Sequence, residues 1–268
     1  AASDVYKRQL DALPGDAERA WQEAQNWQKI WGSAPPSNLG WQLDDTHLMD
    51  AHWRRLQDFD LWLPEPAPFT KRIKFTGDAL FKKVSNMVGK APGADQWTAE
   101  LLLCLPPAFW TGAAQIWQVC VDRGAVVDAW ADAFVVLIPK AAGGTRPLTI
   151  ASVMWRAGAK LLLRWSQQWI DEWLPNTVCG GVAGRDARPL FMRLLWQMRR
   201  CEEDEEDLAI LVSQDLSKAF DRVSVGQCMA IMRHLGWPEN MCRCVLSFYR
   251  SLKLSLIHIS EPTRQWQI

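Results

Sequence analysis

The sequence predicts an α+β protein, and three observations carry that expectation. Apolar residues recur at helical spacing over much of the 268 residues; two strand-length apolar runs, Phe134–Ile138 and Pro147–Ile150, flank a glycine-containing turn; and a continuous apolar run, Leu208–Val212, is too short for a helix. With 49% hydrophobic and 22% charged residues, the chain can bury a sizeable core in one or two domains.

Taken in order, the periodicity predicts a helix over Ala17–Trp31, a break at Ala34–Pro36, and a second helix over Asp44–Phe59. Leu61–Phe69 carries three prolines, which cannot continue a helix, so it reads as an extended linker and the best internal boundary. Helices are expected at Gly77–Val88, Thr98–Leu105 and Phe109–Arg123, the last stopping at Gly124. The two strand runs close a hairpin around Ala141–Thr145. A long helix follows from Val153 to Trp173, then a glycine-rich loop at Gly180–Gly184 and a helix over Pro189–Arg200. The acidic run Glu202–Asp207 suits a solvated connection into a buried strand at Leu208–Val212. Ser224 and Gln227 form an S-x-x-Q capping box that starts a helix reaching His234. After a turn at Gly236–Pro238, a helix over Glu239–Leu252 places Val245, Phe248, Tyr249 and Leu252 on one apolar face.

The formal net charge is zero, which argues against a uniformly basic nucleic-acid coat, but the charge is unevenly placed. Leu10–Thr70 has 4 basic residues against 10 acidic, whereas Lys71–Arg200 has 17 against 9. The basic middle can attract phosphate backbones, and ordinary solvated charge explains the same count equally well. Seven cysteines without paired spacing read as reduced core thiols, and structural zinc is not indicated. No run long and apolar enough for a membrane span is present. Most of the seventeen tryptophans, including Trp165, Trp169 and Trp173, fall at helical spacing and belong to packing more naturally than to a base-stacking platform.

The chemistry concentrates in LAILVSQDLSKAFDRVS, Leu208–Ser224: an apolar strand delivers Asp215, and Phe220 follows five residues later. A carboxylate at a strand's end is fixed by the sheet yet open to solvent, and hard cations such as Mg²⁺ take one or two carboxylates together with substrate phosphates. The segment DLSKAFD resembles the first catalytic-palm motif of reverse transcriptases, especially the non-LTR retrotransposon branch. Upstream, KAPGADQW (Lys90–Trp97), WADAFVVLIPKAAGGTRPLTI (Trp130–Ile150) and GGVAGRD (Gly180–Asp186) resemble that family's fingers motifs in the same order. Gly181 and Val182 depart from the family's usual Gly-Phe.

The resemblance implies a right-hand polymerase: fingers over residues 71–205, a partial palm over 206–253, and a helical N-terminal extension over 10–70. It implies that Asp215 and the Leu216 carbonyl hold Mg²⁺ or Mn²⁺, and that the Phe220 ring lies beneath the incoming sugar, where it would clash with a ribose 2′-hydroxyl. Lys140 and Arg146 would hold the triphosphate. Arg156, Lys160 and Arg164, at i, i+4 and i+8 of one helix, would contact template or primer phosphates, with Gly184 and Arg185 in a loop near the template. The partners implied are an RNA template, a DNA primer and deoxynucleoside triphosphates, without a membrane. An intracellular, nuclear setting is expected for a retrotransposon protein, and any endonuclease domain would precede Leu10.

The family's second palm motif, aromatic-x-Asp-Asp, does not occur; the only Asp-Asp pair is Asp44–Asp45. A fragment without polymerase activity of its own is therefore expected. Both ends read as sequencing-adapter sequence, residues 1–9 and 254–268: Asp4–Gln9 can be encoded by GATGTGTATAAGAGACAG, whose reverse complement encodes Leu254–Ile259. A group II intron-type reverse transcriptase and maturase, and a non-enzymatic nucleic-acid-binding relic, stay open as alternatives.

Overall fold

The computed structural model describes residues 45–57, 64–139, 145–182, 184–203, 212–215, 223–257 and 266–267. The helices among them are α1 (Asp45–Gln57), α2 (Gly77–Ser85), α3 (Ala99–Leu103), α4 (Pro107–Arg123), α5 (Val153–Trp173), α6 (Arg188–Glu203), α7 (Val225–His234) and α8 (Glu239–Ser251). The strands are β1 (Asp132–Pro139), β2 (Thr145–Ile150), β3 (Lys253–Ile257) and β4 (Trp266–Gln267), in the spatial order β2-β1-β3-β4. The mixed α+β class expected from the pattern is therefore observed.

Local chemistry sets the element ends. Thr76 Oγ accepts the Ala79 amide at the start of α2, Thr98 Oγ accepts the Leu101 amide at α3, and the buried Ser152 Oγ accepts the Trp155 amide at α5. Pro107 opens α4, and Gly124, with φ of 65°, closes it in the left-handed conformation. Ser224 Oγ caps α7 through the Gln227 amide, the first half of the expected capping box.

An aromatic stack is the centre of the core. Trp117 on α4 is fully buried and stacks against Phe75, Trp130 and Trp155, with ring centroids 5.2, 4.9 and 5.4 Å away. Trp155 on α5 stacks in turn on Phe248 of α8 at 3.9 Å. Gly158 of α5 lets Trp117 lie flat on the helix, because a Cβ there would fall 2.6 Å from the ring's Cδ2 and closer still to its Cε2 and Cζ2. Trp169 donates to the carbonyls of Ala67 and Leu235, and Trp237 donates to Ser166 Oγ at 2.9 Å. The Pro-rich segment is thereby tied to α5 and to the turn after α7. Helix α1 joins the same body: Trp53 stacks on His234 at 4.0 Å, and Asp50 pairs with Arg233.

The buried face of α8 differs from the expected one. Met241, Cys242, Cys244, Leu246 and Phe248 are buried, whereas Tyr249 is about half exposed. The helix packs against α4, α7 and α1 together, which widens its buried stripe and recentres it on Cys244 and Phe248.

In the sheet, β1 and β2 pair antiparallel from Phe134↔Ile150 to Pro139↔Thr145, the hairpin expected from the sequence. The other edge of β1 pairs in parallel with β3, Asp132↔Lys253 to Val136↔Ile257. Leu254–Ile257 belongs to the stretch that the adapter reading sets aside. An unpaired strand edge offers a row of backbone donors and acceptors, and an apolar run leaving α8 beside that edge satisfies them whatever its origin. The helix expected at Ala17–Trp31, the hairpin turn, most of the acidic run and Leu208–Leu211 lie outside the described residues. Val212 is 79% exposed and belongs to no strand.

Candidate nucleic-acid interface

Of the residues singled out from the sequence, Leu216, Phe220 and Lys140 lie outside the described residues, as do Lys218 and Asp221. Asp215 is exposed, in a stretch without regular structure. Arg146 is exposed on β2, opposite Ile138 of β1. Among the described residues no group of three His, Cys, Asp or Glu side chains comes together to hold a metal ion. One carboxylate does not fit a two-metal centre, which needs several oxygen ligands around each ion.

The three basic residues of α5 have different surroundings. Arg156, at the first turn, is half-buried and donates from a terminal guanidinium nitrogen to the Ala91 carbonyl at 2.6 Å. Burial pulls its pKa below the ordinary value, and the nearby Asp95 carboxylate opposes that shift. Burial likewise raises the pKa of Asp95, against the pull of the Trp97 amide and of Arg156. Gly93 completes this dock: a Cβ there would lie 2.6 Å from the Ser152 backbone, so the Lys90–Trp97 turn can sit on the head of α5 only with glycine at that position. Arg156 thus joins two of the sequence motifs, KAPGADQW and the helix after the hairpin, and this contact uses its guanidinium.

Lys160 and Arg164, one and two turns further on, are exposed. Helix α2 packs against α5 and brings two more cations to them, Lys82 and Lys83 in its last turn. The Lys83 pKa is lowered first by burial, then by Arg164, Lys160 and Lys82; every charge acting on it is positive. Four cations drawn together repel one another, and a polyanion laid over them removes that repulsion. Sequence reading found Lys160 and Arg164 from their spacing but missed Lys82 and Lys83. The signal was the Lys-Lys pair beside the core positions Leu80 and Val84; the partner helix was not readable.

The glycine-rich loop is held from within. Gly181 and Gly184 take φ of 73° and 79°. Arg185 donates to the carbonyls of Pro175, Val178 and Leu174 at 2.5, 3.1 and 3.1 Å, and lies 3.5 Å from the Asp171 carboxylate. Its side chain fastens the loop to the end of α5. Beyond it, α6 carries Arg188, Arg193, Arg199 and Arg200 along with Phe191, Met192 and Trp196, each about 60% exposed, and Arg200 lies over the Trp196 ring.

No protein-family model and no curated protein matches the chain.

Proposed function

We propose that this chain is the fingers and part of the palm of an RNA-directed DNA polymerase, with the cation cluster of α2 and α5 contacting the phosphates of a primer–template duplex. The observation that carries the reading is the ordered series of motifs: KAPGADQW, LIPK, RPLTI, GGVAGRD and DLSKAFD, all in the family's order. The Arg156–Ala91 contact and the β1–β2 hairpin support it, since they join consecutive motifs into one body. In this reading Asp215 is the single catalytic carboxylate, Phe220 tests the sugar, and Lys140 and Arg146 meet the triphosphate. Without an aromatic-x-Asp-Asp motif the chain by itself does not extend a primer.

The test is fluorescence anisotropy with an RNA template annealed to a shorter DNA primer, at salt from ~50 to ~200 mM. Binding is expected to fall steeply with salt, and Lys160→Ala or Arg164→Ala each to lower the log–log salt slope by about 1. Salt-independent binding, or none, would overturn the proposal. Primer extension with Mg²⁺ and deoxynucleotides is expected to yield no product from this chain.

A further inference from the structure

A second basic feature lies away from the α2–α5 cluster. Between the extended segment leading into α2, helix α4 and the start of α8 runs a cleft of about 800 Å³. None of the residues given a catalytic, nucleotide or nucleic-acid contact in the polymerase reading lines it. Its size falls within the ~300–1,000 Å³ typical of small-ligand sites.

The segment builds the cleft's charge by alternation. Phe75 is buried and Ile73 half-buried, which anchors the strand-like backbone, while Arg72, Lys74 and Thr76 are exposed on its other side and Lys71 is exposed beside them. The Phe75 amide donates to Gln118 Oε1 at 3.2 Å, and Gln118 Nε2 donates to Asp122 Oδ1 at 2.9 Å, so the facing wall of α4 is fixed. Three cations and one carboxylate, Asp122, thus line the cleft, and that carboxylate already accepts a hydrogen bond. Among the described residues Lys71, Arg72 and Lys74 make no ion pair.

The cleft is long as well as positive. Its lining follows α4 from Thr111 to Asp122, ~16 Å at 1.5 Å per residue. The segment runs antiparallel to that helix: Phe75 meets Gln118, and a Cβ on Gly77 would lie 3.2 Å from the Thr111 amide. Positive side chains are thus distributed along the length, from Lys71 and Arg72 through Lys74 toward Thr76 and Gly77 at the start of α2, where the helix end is positive but Asp78 in the first turn offsets part of that charge. A compact anion would meet only part of this line.

We infer that the cleft binds a linear oligophosphate ligand of nucleoside-triphosphate size, its phosphates spaced along Arg72, Lys74 and the start of α2. This site is independent of the polymerase reading.

The experiment is isothermal titration calorimetry on the full chain with inorganic tripolyphosphate, ATP and a single-stranded RNA hexamer as probes. Tripolyphosphate and ATP are expected to bind at one site per chain, each more tightly than the hexamer. Arg72→Glu and Lys74→Glu change exposed side chains, and unchanged circular dichroism verifies that both variants fold. Each is expected to weaken binding about tenfold or more. Asp122→Asn, which keeps the acceptor for Gln118 but removes the only opposing charge in the lining, is expected to tighten binding about threefold. No binding, binding indifferent to both charge reversals, or tighter binding of the hexamer through Arg72 and Lys74 would each overturn the inference.

Discussion

Replacing Gly158 by alanine tests the arrangement at the centre of the core. In most helix interiors that change stabilises by about 0.5–1 kcal/mol, because glycine loses more backbone freedom on folding. At Gly158 the new methyl would sit 2.6 Å from Trp117 Cδ2, against a ring that is fully buried and stacked on Phe75, Trp130 and Trp155. The indole cannot slide away without opening those stacks, so α4 and α5 must part. Overpacking of this kind costs about 1–3 kcal/mol, which leaves a net loss of up to about 2.5 kcal/mol after the helix gain. Gly112 of α4 is the internal control: a Cβ there meets nothing within 4 Å, so Gly112→Ala is expected to stabilise by about 0.5–1 kcal/mol. Urea unfolding followed by tryptophan fluorescence measures both. A Gly158→Ala midpoint at or above that of the parent, with Gly112→Ala behaving as described, would refute the stacked-core argument.

Other expectations follow from single contacts. Ser166→Ala leaves the buried Trp237 Nε1–H without its acceptor and is expected to cost about 1–3 kcal/mol, read in the same urea assay. Arg156→Ala frees the Ala91 carbonyl and is expected to speed amide hydrogen exchange across Lys90–Trp97 while leaving α7 protected. The Gly89 amide, 2.6 Å from Glu100 Oε1, holds that carboxyl below its usual pKa of 4.5. Its contribution to stability is complete above that value and is lost as pH falls through the lower folded one, so Glu100→Gln should shrink the fall in urea midpoint between about pH 6 and about pH 3. Burial pushes the Cys242 and Cys244 thiols up to about 12, while Cys104 is exposed. A thiol reagent at neutral pH is expected to modify Cys104 at once and to reach Cys242 and Cys244 only in denaturant; their rapid labelling in the folded protein would contradict the packing of α8.

Much of the local structure was legible because its signals are local. The stop at Gly124, the start of α5 at Val153 and the hairpin strands each follow from caps, turn residues or periodicity within a few residues. The buried face of α8 was not, because it depends on which helices arrive from elsewhere. The same holds for the candidate site. Spacing along α5 put Lys160 and Arg164 together, but only packing joined them to Lys82 and Lys83, and only packing turned Arg156 toward Ala91. Arg185 shows the converse case: its place in a glycine-rich loop was legible, but the three carbonyls on its guanidinium come from residues that only the folded loop gathers. The charge along Lys71–Lys74 was visible as composition, but the cleft beside it arises from a helix about forty residues away in sequence.

The parallel pairing of β1 with Lys253–Ile257 also bears on how this body could be handled. A strand that follows its helix directly and docks by backbone register and by Leu254 against Val135 occupies a seat that another peptide of matching alternation can take in trans. If the Lys253–Ile257 run were replaced, a supplied strand would complete the sheet from outside, making this margin a docking port for a split reporter or a tethered neighbour.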